Sequence, residues 1–595
     1  MKRGIEVSRL RRYNLWVVLA VIVLLSLLPL PAFWVAQLNY TGLFALTCLG
    51  LVLLTGVAGL TSFGQAAFVG IGAYTAAWCA LNLGWPPTVT LILGVTLTGV
   101  SAWVIGRITL RLSGHYLPLA TIAWGLSLYY LMGNLEALGK YDGLIGLNSL
   151  TLFGHEIGQG RGFFVVSWSL LWLATVALTF LLNSRPGRAI RSLKDGRQMA
   201  EAMGVDTFGY KVTIFVIAAV LASVAGWLMA YYQRAVNPSA FGLKWGIEYL
   251  FMVVVGGAGS LWGAWLGAGV VRVLDEQLQA WLPQLLGMSG SFESIVFGVM
   301  LVLILKYRPD GLWSWVQQGL GKTERTRDWD DADVLAQRTK PEMGDVVLDV
   351  QKIRKNFGGL VAVNDISFQV RAGQIVGLIG PNGAGKSTTF NLITGTLPLS
   401  GGEVYFGGQP VHGLHARDIA KRGLMRTFQH VKMIPEMSVL DNVAIGAHSR
   451  SKGEVFSAIL RRNRGEEKSI MAEAERQLKR VGLGDWMHEQ AANLPMGQQR
   501  LMEIARALCA DPTLLLLDEP AAGLRYLEKQ ELMRVLRQLQ SEGMSILLVE
   551  HDMDLVMDVC ETIVVMEFGT YLTQGTPEEV QADPKVRAAY LGTEH

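Results

Sequence analysis

The residues of this 595-residue chain best suited to chemistry lie in its second half. Gly380-Pro381-Asn382-Gly383-Ala384-Gly385-Lys386-Ser387-Thr388 follows the strand-like run Ile375–Ile379 and precedes an apolar, helix-capable run. Glycines at those spacings let backbone N–H groups curl around phosphate oxygens, and the dipole of the following helix favours the same negative charge. Lys386 can reach the β- and γ-phosphates of a nucleotide, and Ser387 can place its hydroxyl on magnesium. Further on, Leu514-Leu515-Leu516-Leu517-Asp518-Glu519-Pro520 is an apolar strand ending in two carboxylates, the pattern of a parallel strand buried on both faces. Asp518 is then placed to hold the magnesium, and Glu519 to polarise an attacking water. A second such strand, Ser545–Val549, leads through Glu550 to His551 and brings an imidazole to the same sheet edge. By itself the acidic pair can cap a helix, and a lone histidine is more often structural. Joined to the phosphate loop, they describe a site for hydrolysing a nucleoside triphosphate.

The elements that must position this site form a water-soluble domain, and the rest of the chain is of another kind. Overall 51% of residues are hydrophobic and 17% charged, against about 25% charged in ordinary soluble proteins. The deficit is concentrated in residues 1–305, and Tyr13–Gly106 contains no Asp, Glu, Lys, Arg or His at all. No soluble core tolerates such a stretch, so the first half reads as a polytopic membrane domain. Spans are expected at 14–36, 41–60, 66–84, 88–108, 117–133 and 163–182, then at 212–232 and 291–305. Basic residues at Arg9, Arg11, Arg12, Arg107, Arg111 and 185–197 all fall on one side if the N-terminus is cytoplasmic. The basic start followed by an apolar run is read as a retained first helix, not a cleaved signal. Between 240 and 273, Gly256-Gly257-Ala258-Gly259 breaks the apolar run, giving ten crossings, or eight with a re-entrant segment. Those glycines either line a transport path or let helices pack closely. The four cysteines show no metal-binding or disulfide spacing. The expected division is 1–305 membrane domain, 306–344 charged linker and 345–595 soluble α/β domain.

With these motifs in place the chain resembles the ATP-binding cassette (ABC) transporters. Arg426-Thr427-Phe428-Gln429 resembles their Q-loop, Leu494-Pro495-Met496-Gly497-Gln498-Gln499-Arg500 their signature loop, and Glu550-His551-Asp552 their switch histidine. The resemblance implies a polytopic helical domain of 8–10 transmembrane helices followed by an α/β P-loop ATPase, with ATP and Mg2+ as ligands. It implies that Gly380, Asn382, Gly383, Gly385, Lys386, Ser387 and Thr388 bind ATP and that Phe357 stacks on adenine. It implies Glu519, His551 and Gln429 in catalysis, with Ser387, Gln429 and Asp518 on the metal. Met496, Gly497 and Gln498 then serve ATP bound by a partner cassette. Ser62–Ala76, His115–Thr121, the loop 184–211 and the closing Gly575–Val580 narrow the resemblance to uptake systems for branched-chain and other hydrophobic amino acids, with permease and ATPase fused.

That narrower resemblance implies an importer subunit in a bacterial inner membrane, lipid-embedded, with its ATPase cytoplasmic and no nucleic-acid partner. Its partners are a second permease, a second ATPase and an external solute-binding protein, and Glu201, Ala202 and Gly204 lie in the coupling loop. A half-exporter and a membrane-tethered regulatory ATPase are the rival readings; urea, amides or aromatic acids suit the uncharged helices as well as amino acids do. Two departures stand out. Pro495 replaces the usual signature serine, and Arg525 replaces a polar residue after Leu524. Both bear on the partner's site rather than on the one built by this chain's own phosphate loop.

Overall fold

A computed structural model describes residues 14–112, 116–152, 154–286, 293–320 and 329–591. Arg9, Arg11, Arg12, His115 and the charged run from Lys322 to Asp328 lie outside the described residues. The chain forms two compact units: Met1–Asn183 with Phe208–Glu324, and Ser184–Thr207 with Arg325–His595.

The first unit is helical. Its helices are α1 Asn14–Leu27, α2 Ala32–Leu51, α3 Gln65–Leu83, α4 Pro87–Thr109, α5 Tyr116–Asn134 and α6 Arg161–Leu182. The short α7 Arg185–Asp195 and α8 Arg197–Ala202 belong to the second unit. The first unit resumes with α9 Thr207–Gln233, α10 Leu243–Gly256, α11 Leu261–Leu286, α12 Glu293–Tyr307 and α13 Gly311–Leu320. Among the described residues, five helices are long and apolar enough to cross a membrane: α2 with its π-helical continuation to Val57, α3, α4, α6 and α9. The first expected span ends early, because Pro29 and Pro31 supply no N–H donors; α1 stops at Leu27 and Pro31 caps α2.

The glycine-broken stretch is a bend of 114° between α10 and α11. Its glycines are contact points between backbones. A Cβ on Gly256 would lie 1.9 Å from the Gly263 carbonyl oxygen, and one on Gly267 the same distance from that of Met252. Of the two readings of these glycines, the geometry matches close helix packing. α11 runs well past the expected boundary at 273 because its charges neutralise one another. Arg272 Nε donates to Gln37 Oε1 at 3.0 Å, Nη2 donates to Glu276 Oε2 at 3.0 Å, and the guanidinium lies over the Tyr40 ring. A charge in an apolar bundle persists only when paired in this way.

The second unit contains two sheets. Strands β1 Val346–Phe357, β2 Leu360–Arg371, β4 Gly401–Phe406 and β5 Gln409–Pro410 form an antiparallel sheet in the order β2-β1-β4-β5, and β3 is Ile375–Ile379. β3 joins β6 Leu424–Arg426, β7 Leu514–Asp518, β8 Ser545–Val549, β9 Thr562–Glu567 and β10 Thr570–Gly575 in the order β6-β7-β8-β3-β9-β10. All pairs there are parallel except the β9–β10 hairpin. The leucine run of β7 is continuous because both faces are covered: Leu515 and Leu517 join one apolar cluster with Ile546 and Leu548, while Leu514 and Leu516 join another with Leu547 and Val549. The register pairs Asp518 with Val549, and Val549 with Leu378. The carboxyl ends of β7, β8 and β3 therefore emerge together, where parallel α/β sheets place their sites.

The segment 329–344 lies along the second unit. Trp329 is 5% exposed, and its indole Nε1 donates to Glu475 Oε2 at 2.6 Å. Lys340 pairs with Asp511 at 2.9 Å, and Arg450 Nη2 donates to the Ala336 carbonyl at 3.0 Å. Trp329→Ala removes a buried indole and leaves a carboxylate short of a donor, a loss of about 3–5 kcal/mol for such a truncation. A lower melting temperature of the ATPase signal, with membrane insertion unchanged, is the expected readout.

Candidate active site

The phosphate loop leaves β3 at Ile379 and turns into α14, Lys386–Ile393. Gly380, Gly383 and Gly385 all have positive φ, and Gly385 is the N-cap of α14. Lys386 is buried, and its Nζ donates to the carbonyl oxygens of Gly380 (2.7 Å) and Pro381 (3.1 Å). Burial lowers the pKa of its ammonium, while the carboxylates of Glu519 and Asp518 oppose that shift. A cavity of about 510 Å3 opens over the loop, lined by Asn382 through Thr388, by Leu360, Val361 and Ala362 of β2, and by Glu519 and Phe568.

The catalytic candidates converge beside it. Gln429 Nε2 donates to Glu519 Oε2 at 2.9 Å, and His551 Nδ1 stands 3.8 Å from the same oxygen. Glu519 holds a left-handed backbone, φ 45°, with its N–H donated to the Val549 carbonyl at 2.8 Å. A non-glycine residue in that region is uncommon and clusters at functional sites. Asp518 is buried, and burial raises its carboxyl pKa; Arg426, at 3.7 Å, opposes this and the neighbouring Glu519 adds to it. Ser387, Asp518 and Gln429 offer a hydroxyl, a carboxylate and an amide oxygen, a hard oxygen donor set that suits magnesium.

Several residues around this arrangement take places that the sequence motifs do not assign. Arg426 donates to Asn391 Oδ1 (2.9 Å) and Thr394 Oγ1 (2.8 Å) and lies between the Phe390 and Phe428 rings, with burial lowering its pKa to about 10. Arg500, on the helix α15 Met496–Cys509, donates to the carbonyls of Phe428 (2.7 Å) and Gln429. It ties α15 to the Gln429 loop. Phe568 sits exposed at the β9–β10 turn, on the rim of the cavity.

Glu550 is wholly buried. Its Oε1 accepts from the Ala521 N–H at 2.7 Å, and its Oε2 accepts from the N–H groups of His551 (2.8 Å) and Asp552 (3.2 Å). One carboxylate thus joins the loop after Glu519 to the histidine turn. Glu550→Gln turns an acceptor into a donor against one of those N–H groups. It is expected to lower the ATPase kcat about tenfold with little change in KM for ATP, because Glu550 lies outside the cavity lining. Steady-state kinetics separate the two effects.

Not every expected residue joins the cavity. Phe357 is half-exposed at the end of β1, under the Lys355 ammonium, and is not part of the lining. Met496, Gly497 and Gln498 open α15 behind Pro495, which caps it without a side-chain hydrogen bond. Met496 lies beside Gly523, in the loop after Glu519, and Gly497 faces the Glu528 side chain of the helix Tyr526–Ser541.

The loop 184–207 lies on the same unit as this site. Met199, Ala202 and Met203 are buried in one apolar cluster with Ile434, Met437 and Ala420. Glu201 Oε1 accepts from Thr207 Oγ1 (2.6 Å) and Arg197 Nε (2.9 Å), so it shapes its own loop, and Gly204 turns the chain at φ 85°.

Comparison with known proteins places this geometry. Residues 34–305 match a family model described as the branched-chain amino acid transport system permease component, 363–522 match the ABC transporter model, and 572–595 match one described as a branched-chain amino acid ATP-binding cassette transporter. The high-affinity branched-chain amino acid transport ATP-binding protein LivG of Salmonella typhimurium is 42% identical over 253 residues, which cover 42% of this chain and 99% of that protein. The chain belongs to the branched-chain amino acid ABC transporter family. BraF of Pseudomonas aeruginosa, another high-affinity branched-chain amino acid transport ATP-binding protein, is 39% identical over 41% of this chain and 98% of its own length. A solved nucleotide-free ATP-binding cassette from an ABC transporter is 30% identical, with a TM-score of 0.37, over 42% of this chain and 99% of that one. As a member of this ABC family the chain is an integral membrane protein that binds ATP and couples its hydrolysis to transport. Permease and ATPase are joined in one chain, in a family whose transporters are complexes of several subunits.

Proposed function

We propose that this chain imports branched-chain and other hydrophobic amino acids across a bacterial inner membrane, as the fused permease and ATPase subunit of a binding-protein-dependent transporter. A second permease, a second ATPase and an external solute-binding protein complete the complex, and the N-terminus and ATPase face the cytoplasm. In functional terms 1–305 is the permease, 306–344 the connection and 345–595 the cassette. The observation that carries the reading is a full hydrolytic constellation, Lys386, Gln429, Glu519 and His551, on a chain whose permease and cassette parts both match branched-chain amino acid transport families. Basic residues at Arg185, Arg188, Arg191 and Lys194 support the orientation.

The chemistry follows from the residues. Backbone N–H groups of 380–388 and the Lys386 ammonium bind the phosphates, and Phe357 stacks on adenine. Gln429 orients a water, and Glu519 takes its proton as the water oxygen bonds to the γ-phosphorus. The bond from that phosphorus to the bridging oxygen breaks, releasing ADP and phosphate, and His551 steadies the transferred group. Ser387, Asp518 and Gln429 would hold Mg2+, which would neutralise charge on the phosphates. Met496, Gly497 and Gln498 complete the ATP site of the partner cassette. The loop containing Glu201, Ala202 and Gly204 carries cassette closure to the helices.

The test is uptake. The chain, co-expressed with its genomic neighbours and reconstituted in vesicles, is expected to accumulate labelled leucine, isoleucine or valine only with ATP and the solute-binding protein. ATP-driven efflux, or uptake indifferent to the binding protein, would reject the reading.

A further inference from the structure

The first turn of α7 lays three N–H donors on one carboxylate. Both terminal nitrogens of Arg188 grip Glu467, Nη1 on Oε1 and Nη2 on Oε2 at 3.2 Å, and the backbone N–H of Arg185 donates to Oε2 at 3.0 Å. Glu467 stands in the first turn of the helix Arg464–Arg480. The Arg188 side chain is 2% exposed and that of Glu467 15%, so this pair has left water. Arg185 extends the contact: its Nη1 donates to the Gly453 carbonyl at 2.8 Å, and its Nη2 lies 3.3 Å from His448 Nε2. Burial, with Arg185, Arg188 and Lys421 nearby, holds the His448 pKa well below its ordinary value, which keeps the ring neutral and able to accept.

The apolar part of the same contact, Met199, Ala202 and Met203, has little power to discriminate. Methionine repacks against many surfaces. A bidentate guanidinium–carboxylate pair is the opposite case. It fixes geometry through two parallel bonds, and a loop without the arginine leaves a largely desolvated carboxylate with only the Arg185 N–H of its three donors. Lysine does not replace it, since an ammonium cannot grip both oxygens at once.

We propose that the Arg188–Glu467 pair is a specificity lock that decides which coupling loop this cassette accepts. It selects the loop of its own chain over any loop lacking an arginine at that place. In a complex of two permeases and two cassettes, the lock directs the stroke of this cassette into its own permease. The proposal rests on the coupling role given to 184–207 under the proposed function.

Charge exchange tests it in the assembled transporter. Arg188→Glu and Glu467→Arg are each expected to lower solute uptake per ATP hydrolysed by about tenfold or more, with basal ATPase within about twofold of the parent. The double exchange is expected to restore coupling to within about threefold of the parent. Arg188→Met, which introduces no repulsion, guards against a folding defect: it is expected to bind ATP normally and still to lose coupling. Parental coupling in Arg188→Met, or a double exchange no better than the singles, overturns the lock. Replacing 184–207 by a Gly/Ser linker separates the two readings. If the linker variant fails to transport while the single exchanges transport normally, only the lock is wrong. If the linker variant still transports, the coupling reading falls and the lock with it.

Discussion

Glu519→Gln is expected to lower ATP turnover at this chain's own site by about 10²–10⁴-fold, the usual range for loss of a general base, while ATP binding persists. The substitution is close to isosteric. The amide oxygen of a glutamine at 519 can still accept from Gln429 Nε2, now at 2.9 Å, and the backbone N–H bond to Val549 is untouched. What disappears is the capacity to take a proton from water. Binding should hold or tighten, because the carboxylate at 519 adds to the burial that raises the Asp518 pKa. Removing it leaves Asp518 easier to ionise and so a better holder of a cation. Equilibrium binding of labelled ATP, with single-turnover hydrolysis in the same preparation, separates the two effects. Full turnover in the assembled complex would mean that the partner cassette's site carries the hydrolysis.

The contrast between what the sequence reveals here and what it hides has physical causes. Lys386, Asp518, Glu519 and His551 are legible because each comes after a continuous apolar strand, and such strands occur where a parallel sheet is covered on both sides. The phosphate loop is legible because its glycines answer to backbone geometry, which local sequence dictates. Glu550 is hidden for the opposite reason. It reads as one more carboxylate before a histidine, and its role comes from three N–H groups that only the folded sheet edge brings together. Arg188 and Glu467 are far apart in sequence, and each sits in a charged surface-like helix pattern; nothing short-range marks them as a buried pair. Trp329 stands alone in a charged stretch without periodicity, so its anchoring role is invisible until the indole is seen against Glu475. In the membrane half, five of the spans expected from hydropathy are, among the described residues, helices long and apolar enough to cross a membrane; 14–36, 117–133 and 291–305 are not among them. The length of α11 is not legible in the sequence, because Arg272, Gln37 and Glu276 look prohibitive one at a time and are acceptable only as a set.

Gly385→Ala is expected to weaken ATP binding severely, and Gly383→Ala only modestly, although both glycines belong to one loop and both have positive φ. For an L-residue the left-handed conformation costs about 1–2 kcal/mol, a penalty the two variants share. They differ in what surrounds the added methyl group. At 383 a Cβ meets no atom of the protein within 4 Å, so against the protein itself the cost is the strain, a loss of about tenfold in affinity. At 385, φ 91°, a Cβ would lie 2.5 Å from the Ala362 carbonyl oxygen, and the Val363 side chain is next nearest at 3.4 Å. That carbonyl belongs to β2, paired with β1, and cannot withdraw as a flexible side chain would. The loop must move instead, and Gly385 is the N-cap from which α14 directs its N–H groups and Lys386 toward the phosphates. Displacing it misaims several donors at once, so affinity should fall by about 10²-fold or more. Nucleotide titration of the two purified variants gives the ranking directly. Equal losses would mean that backbone strain, not the approach of β2, sets the requirement for glycine in this loop.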